Sequence, residues 1–243
     1  DIRKINILLS TLSLVLIVIG YPLVTTLLLP SNSDISDISQ AVTIPYRVFC
    51  LVLMLFVIMI NVRKSAGNMP LPLVVLIILN FLWISRMVYD IFVSGDVLLT
   101  STSQLWLYVI GICIPALFSV IKTVNVIDTD KALQWVWWGL AVILIVTLFS
   151  NQALISNTDN EFRVDGNVAL NTISYGNIGV TTFVLSLFLL LNQRIKRNWK
   201  KIFCILICIL AFYSVLRAGS RGPLLNLVFL LLFWFFSRRK NIM

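Results

Sequence analysis

Long apolar runs, broken only by short polar segments, recur from one end of the sequence to the other, and this alternation constrains the fold more than any other feature. A helix needs about 20 apolar residues to cross a hydrocarbon core roughly 30 Å thick. The runs predict spans near 5–29, 44–62, 71–93, 104–121, 133–150, 175–191, 201–217 and 223–236. Inside a bilayer each backbone N–H and C=O has to be satisfied within its own segment, which selects helices. The expected fold is therefore all-α: a polytopic membrane helical bundle of about eight transmembrane helices in a single transmembrane domain over 1–243. Outer loops of appreciable length fall near 30–43 and 151–174. Composition agrees, with 59% apolar and only 12% charged residues and a mean hydropathy of +0.98, which excludes a water-soluble fold. The first run, Ile5 to Leu29, is too long for a signal peptide and no small-residue cleavage site follows it.

The net charge of +9 does not point to nucleic acid, because the cations sit in short clusters between apolar runs and not on one polar face. Their placement sets orientation instead, since short cytoplasmic loops hold an excess of Lys and Arg. With the N-terminus inside, the inner segments carry Arg3 and Lys4; Arg63 and Lys64; Lys122 and Lys131; Arg194, Lys196, Arg197, Lys200 and Lys201; and Arg238, Arg239 and Lys240. Both termini are thus expected in the cytoplasm. The basic residues on or near the outer side, Arg47, Arg86, Arg163, Arg217 and Arg221, are all arginines, whereas the inner clusters mix both types. A planar guanidinium grips phosphate or carboxylate with two parallel hydrogen bonds, so anion binding favours this choice.

The most informative stretch is Arg217-Ala218-Gly219-Ser220-Arg221-Gly222-Pro223, between the seventh and eighth spans. Gly219 suits a helix C-terminal cap, and Ser220 and Pro223 suit the start of the next helix. Two guanidinium groups would then lie beside the unpaired N–H groups and positive dipole of a helix N-terminus, an arrangement suited to a diphosphate at headgroup level. A second constellation, Glu161-Phe162-Arg163-Val164-Asp165-Gly166-Asn167, precedes Asn171, Ser174, Tyr175, Gly176 and Asn177 at the start of the sixth span. Arg86 and Asp90, four apart on the third span, share a helix face and are expected to pair. Arg47 beside Tyr46 reads as an interface anchor or an anion contact. Trp135, Trp137 and Trp138 read as headgroup-zone anchors. Cys50, Cys113, Cys204 and Cys208 fall in or at the ends of spans, where packing is expected and disulfides are not. With no histidine in the chain, no metal motif is formed.

The Gly219-Ser220-Arg221-Gly222 turn opening a late span, together with the earlier Arg163-Val164-Asp165-Gly166, resembles the O-antigen ligase and O-antigen or capsule polysaccharide polymerase family over roughly residues 160–236. The resemblance implies a bacterial inverting glycosyltransferase of the plasma (inner) membrane, its active site facing the periplasm or exterior. The donor would be a polyprenyl-diphosphate-linked oligosaccharide and the acceptor a hydroxyl on a glycan or lipid, with membrane lipids as surroundings. Carried over, Arg221 and Arg163 would engage the donor diphosphate, with Ser220 and Gly222 flanking Arg221 and Arg217 joining by proximity. Arg86, Asp90 and Arg47 are secondary candidates. No cofactor or metal is required, but an acceptor base is, and Asp165, Glu161 or a residue beyond Met243 is expected to supply it. In the ligases a large outer loop with a histidine follows these spans. The chain begins at Asp1 and stops before such a loop, so it is expected to be the N-terminal part of a longer protein. The alternative readings are a flippase or transporter for a lipid-linked glycan, and a non-catalytic membrane scaffold. A flippase would line its path with charge, whereas the spans hold little apart from Arg86 and Asp90.

Overall fold

A computed structural model describes residues 2–28, 42–63, 70–93, 102–149, 154–158, 161–166, 170–191 and 198–239. Its helices are α1 Ile2–Val15, α2 Tyr21–Leu28, α3 Ile44–Asn61, α4 Leu71–Phe92, α5 Thr102–Tyr108, α6 Ile114–Thr123, α7 Thr129–Phe149, α8 Thr172–Leu191, α9 Asn198–Ala218 and α10 Arg221–Arg239. Wider π-helical turns, Leu16–Gly20 and Val109–Cys113, join α1 to α2 and α5 to α6. Among the described residues seven helices are long and apolar enough to cross a membrane, while the apolar stretch of α10 is shorter, Arg221–Trp234. The protein is a multi-pass helical membrane protein, and the expected span limits agree with the helices to within about a turn. Most of the expected loop near 30–43 lies outside the described residues, as do 151–153, 159–160 and 167–169 of the second loop.

The helices group into two compact units, the first containing α1, α3, α4, α5 and α6. Lipid tails are as apolar as leucine, so contacts between helices in a bilayer depend on close packing and polar pairs. Here polar pairs do much of that task. Asn6 and Asn61 exchange side-chain amide hydrogen bonds at 2.9 Å in both directions, and the Asn61 amide also donates to the Val57 carbonyl at 2.8 Å. At the other end of the same two helices the Tyr46 hydroxyl donates to the Leu16 carbonyl at 2.6 Å, where the α ladder gives way to the π turn. Those two contacts make α1 and α3 antiparallel. Ser13 and Ser119 meet at 3.4 Å, Lys122 donates to the Val62 carbonyl, and the Asp128 backbone N–H donates to Thr11 Oγ1. Asp128 also caps α7 by accepting from the Lys131 backbone N–H, and its bond and ion pair with Lys131 hold its carboxyl below the usual range.

The second unit contains α2, most of α7, and everything from the second loop onward. Its centre is the antiparallel pair α8 and α9, which approach closely because two α8 positions are glycine. A Cβ on Gly179 would lie 2.8 Å from Val215 Cγ2 and 3.0 Å from the Ala211 carbonyl oxygen of α9. A Cβ on Gly176 would lie 2.6 Å from Pro223 Cγ at the start of α10. Farther along, Val180, Val215 and Leu227 form a buried cluster that keeps α10 running beside α8. Ile19 fills the space that a side chain at Gly139 of α7 would need.

Two expectations change in this unit. Trp137 is not a headgroup anchor: it is 4% exposed, packs with Ala141, Leu189, Cys204 and Ile207, and donates its indole N–H to Ser186 Oγ at 2.8 Å. A buried indole needs an acceptor, and the α8 serine supplies it. Trp138, 41% exposed and stacked on Phe203, keeps an outward position. The second loop, in turn, holds an antiparallel β-hairpin, β1 Leu154–Thr158 and β2 Glu161–Asp165.

The reciprocal amide pair in the first unit gives a stability prediction. Asn61→Leu alone is expected to destabilise the protein by about 1–2 kcal/mol by stranding the Asn6 amide, and adding Asn6→Leu to restore part of that loss. A double-mutant cycle on detergent-induced unfolding measures the coupling, and strictly additive losses would show that the two amides act independently.

Candidate functional site

Three helix ends and one strand meet at one end of the second unit. The α8 helix starts there, α9 ends there, α10 starts there, and β2 packs against both α8 and α9. The start of α8 is capped by Asn171, whose side-chain oxygen accepts from the Ser174 backbone N–H at 2.8 Å. The α9 helix stops at Ala218 because Gly219 takes the left-handed conformation, φ 63°, with its N–H donating to the Leu216 carbonyl. Without a Cβ, glycine enters that region at no steric cost, as its reading as a cap requires. Ser220 immediately precedes α10, Arg221 is its first residue, and Pro223 lies in its first turn, where no intrahelical N–H bond is forfeited. Asn226 of α10 donates to the side-chain oxygen of Asn177 on α8 at 3.4 Å, a polar bridge one turn farther in.

The second constellation reaches the same end through Gly166. A Cβ there would lie 2.9 Å from the Tyr175 ring, and the Gly166 N–H donates to the Leu170 carbonyl at 2.8 Å. The Tyr175 ring, 1% exposed, packs with Leu144, Ala211 and Ala218, and Gly176 beside it receives Pro223. An unbroken chain of contacts, Gly166 to Tyr175 to Ala218 and Gly176 to Pro223, thus ties the Arg-x-x-Gly segment to the Gly-Ser-Arg-Gly turn. Tyr175 lay within the second sequence constellation without a role; its part is to join the two motifs. Its hydroxyl has no hydrogen-bond partner among the described residues. Ser214 on the facing α9 turns its own hydroxyl to the Leu210 carbonyl at 2.9 Å.

The candidate residues are placed as follows. Arg217 is half-buried in the last turn of α9, Ser220 is half-buried, and Arg221 and Gly222 are exposed at the start of α10. Arg163 lies on β2 opposite Ser156, Glu161 opposite Thr158, and Asp165 opposite Leu154. With the two-residue period of a strand, positions 161, 163 and 165 fall on one face of β2. Asn167 lies outside the described residues. Arg86, Asp90 and Arg47 belong to the other unit. Arg86 and Asp90 form the expected pair, Nη2 to Oδ1 at 2.9 Å and Nε to Oδ2 at 3.1 Å, and Arg47 lies over the Tyr108 ring at 5.6 Å. Among the described residues no group of three or more His, Cys, Asp or Glu side chains comes together to hold a metal ion.

Along the same two helices, α8 and α10, an apolar cleft of about 190 Å³ opens between Val184, Leu187 and Phe188 on one side and Leu230, Leu231 and Trp234 on the other. No protein-family model, no curated protein and no solved structure matches the chain. The functional reading therefore stands on the residues and their arrangement.

The Tyr175 contacts separate the ring from the hydroxyl. Tyr175→Phe is expected to leave unfolding stability unchanged or slightly raised, because it removes an unpartnered polar atom. Tyr175→Ala should cost about 3–5 kcal/mol through the cavity it opens beneath Gly166. Equilibrium unfolding of the two variants in detergent checks both.

Proposed function

We propose that this chain is the transmembrane core of a bacterial surface-polysaccharide polymerase or O-antigen ligase, which moves a glycan from a polyprenyl-diphosphate donor to an acceptor hydroxyl. The observation that carries the reading is the convergence of the two family-like motifs on one end of α8. In this reading Arg217 and Arg221, with the N–H groups at the start of α10, hold the diphosphate, and Arg163 approaches from the hairpin. The apolar cleft between α8 and α10 begins roughly 14 Å along the α10 axis from Arg221, at 1.5 Å per residue, and offers hydrocarbon lining on the side a polyprenyl chain would follow.

The chemistry asked of these groups is charge stabilisation. The acceptor oxygen attacks the anomeric carbon from the face opposite the diphosphate, the bond from that carbon to the diphosphate oxygen breaks, and the configuration inverts. The acceptor's proton passes to a base, for which Asp165 and Glu161 are the candidates within this chain. Negative charge grows on the departing diphosphate, and preset guanidinium groups in a poorly hydrated site favour it without reorganisation. Fixed positive groups at a helix N-terminus add to the same effect.

In the full-length protein, Arg221→Ala should lower glycan transfer by roughly 100–1000-fold, the cost of losing one comparable oxyanion donor, while membrane insertion persists. Arg221→Lys should rescue little, because an ammonium lacks the two-pronged geometry. Glycan length profiles on gels provide the readout. Long-chain product at the wild-type level in Arg221→Ala, or movement of intact donor across liposomes with no new glycosidic bond, overturns the assignment.

The site is also proposed to face the outside, with both termini in the cytoplasm. In a background with all four cysteines replaced, Gly222→Cys, at an exposed position where a Cβ meets nothing within 4 Å, is expected to react with a membrane-impermeant maleimide added to whole cells made permeable only at the outer envelope. Labelling that requires lysis of the plasma membrane would place the turn in the wrong compartment.

A further inference from the structure

Arg47 and Tyr108 line a second cleft, in the first unit, which the proposed transfer reaction leaves unused. Arg47 stands in the first turn of α3, about 5 Å along the helix axis from its first residue at 1.5 Å per residue. Its guanidinium lies 5.6 Å from the centre of the Tyr108 ring, and Trp83 of α4 packs edge-on against that ring at 5.9 Å. No acidic side chain among the described residues pairs with Arg47. The cleft beside it, about 110 Å³, is lined by Val48 and Leu51 of α3, Leu107 and Tyr108 of α5, and Gly111 of the following π turn. Gly111 leaves its floor open: a Cβ there would meet nothing within 4 Å.

We infer that this cleft is a binding site for an anionic phospholipid, with Arg47 on the headgroup phosphate and the upper part of one acyl chain in the cleft. Three observations choose that occupant. Leu107, 69% exposed, and Val48, 55% exposed, make the cleft open onto a surface that, on a membrane span, faces hydrocarbon. A cavity of similar size, roughly 150 Å³ and lined by aliphatic side chains, takes up an apolar guest, so hydrocarbon fits its chemistry. The lining carries one cation, half-buried near a helix end and therefore near headgroup depth, whose recorded contact is a ring face. An ionised group at such depth is costly unless something compensates it. A phosphodiester supplies the missing negative charge through paired hydrogen bonds to the guanidinium.

The π turn gives the site its shape. A single widened turn carrying glycine lets the helix axis continue from α5 into α6 while removing the side chain that would fill the space beside Arg47. Such turns recur at functional positions in helices.

The test is native mass spectrometry of the full-length protein, stripped of lipid and titrated with dioleoyl phosphatidylglycerol or dioleoyl phosphatidylcholine. The tightest phosphatidylglycerol adduct of the wild type should weaken about tenfold in Arg47→Ala, the usual loss with one charge-assisted bond, while phosphatidylcholine, whose phosphate is already offset by its own choline cation, should bind the wild type more weakly and lose less. Gly111→Leu should weaken the same adduct by filling the cleft, with an unchanged melting temperature, so a folding defect in Arg47→Ala would not leave the idea unexamined. Wild-type phosphatidylglycerol affinity in both variants overturns the proposal. Equal competition by glycerol phosphate, which has no acyl chain, would also overturn it by showing a site for phosphate alone. Neither outcome bears on the glycan-transfer reading as proposed above, which rests on Arg163, Arg217 and Arg221 of the other unit and not on Arg47.

Discussion

The second unit depends on how closely α8 can approach its neighbours. In water, burying apolar surface would draw helices together; in a bilayer the alternative partner is a lipid tail of the same polarity, and that force vanishes. What remains is the dispersion gained when backbones come near enough to exclude lipid, and Gly176 and Gly179 permit that distance. Each glycine has a specific neighbour in the space its side chain would take: Pro223 at Gly176, and Val215 with the Ala211 carbonyl at Gly179. The positions of the α9 end, the Gly219 turn and the α10 start all follow from that contact. A turn with φ 63° at Gly219 reverses the chain within two residues, so Arg217 and Arg221 come to lie on either side of it.

The first unit solves the same problem with polar groups. The Asn6–Asn61 exchange, the Ser13–Ser119 contact and the Tyr46 bond to Leu16 lie at successive depths along α1 and fix its direction against its neighbours. Amides and hydroxyls specify register better than small residues do, because a displaced amide in hydrocarbon loses its partners outright. Glycine-mediated contact gives close approach, and polar contact gives defined depth.

Most of the helical architecture was legible because the apolar runs set it directly, and the limits of α3 and α4 fall within a turn of expectation. Gly219 was legible for the same kind of reason: one residue type enters the left-handed region without strain. The hairpin was less visible, although its signal is present. Phe162 and Val164 alternate with Glu161, Arg163 and Asp165, and Asp159-Asn160, between the strands, are residue types that short hairpin connections favour. Alternation over five residues is outweighed by the long helical runs on either side. Trp137 was misread for a different reason. Aromatic residues at the end of a span suit a headgroup position, but the step of about 100° between adjacent helix positions turns Trp137 inward while Trp138 stays outward, and only the location of Ser186 on a neighbouring helix shows that the Trp137 N–H finds an acceptor there. The role of Tyr175 was hidden likewise, since what matters is that Gly166, nine residues earlier, lets a strand rest on its ring.

Arginine, where lysine would serve as an anchor, separates three uses of the same side chain. Arg86 meets a carboxylate on its own helix at 2.9 Å, so its charge is compensated within the protein even though its side chain is 68% exposed. Arg217 stands in the last turn of α9, and Arg221 is the first residue of α10, where backbone N–H groups add to the positive potential. Arg47 has a ring face in place of both, and a ring quadrupole offsets only a small part of the cost of a half-buried cation. No carboxylate among the described residues supplies the balance, and at the end of a membrane span the abundant negative groups are lipid phosphates. What surrounds each guanidinium thus separates the three uses: a carboxylate at Arg86, a helix start at Arg221, and a ring face at Arg47.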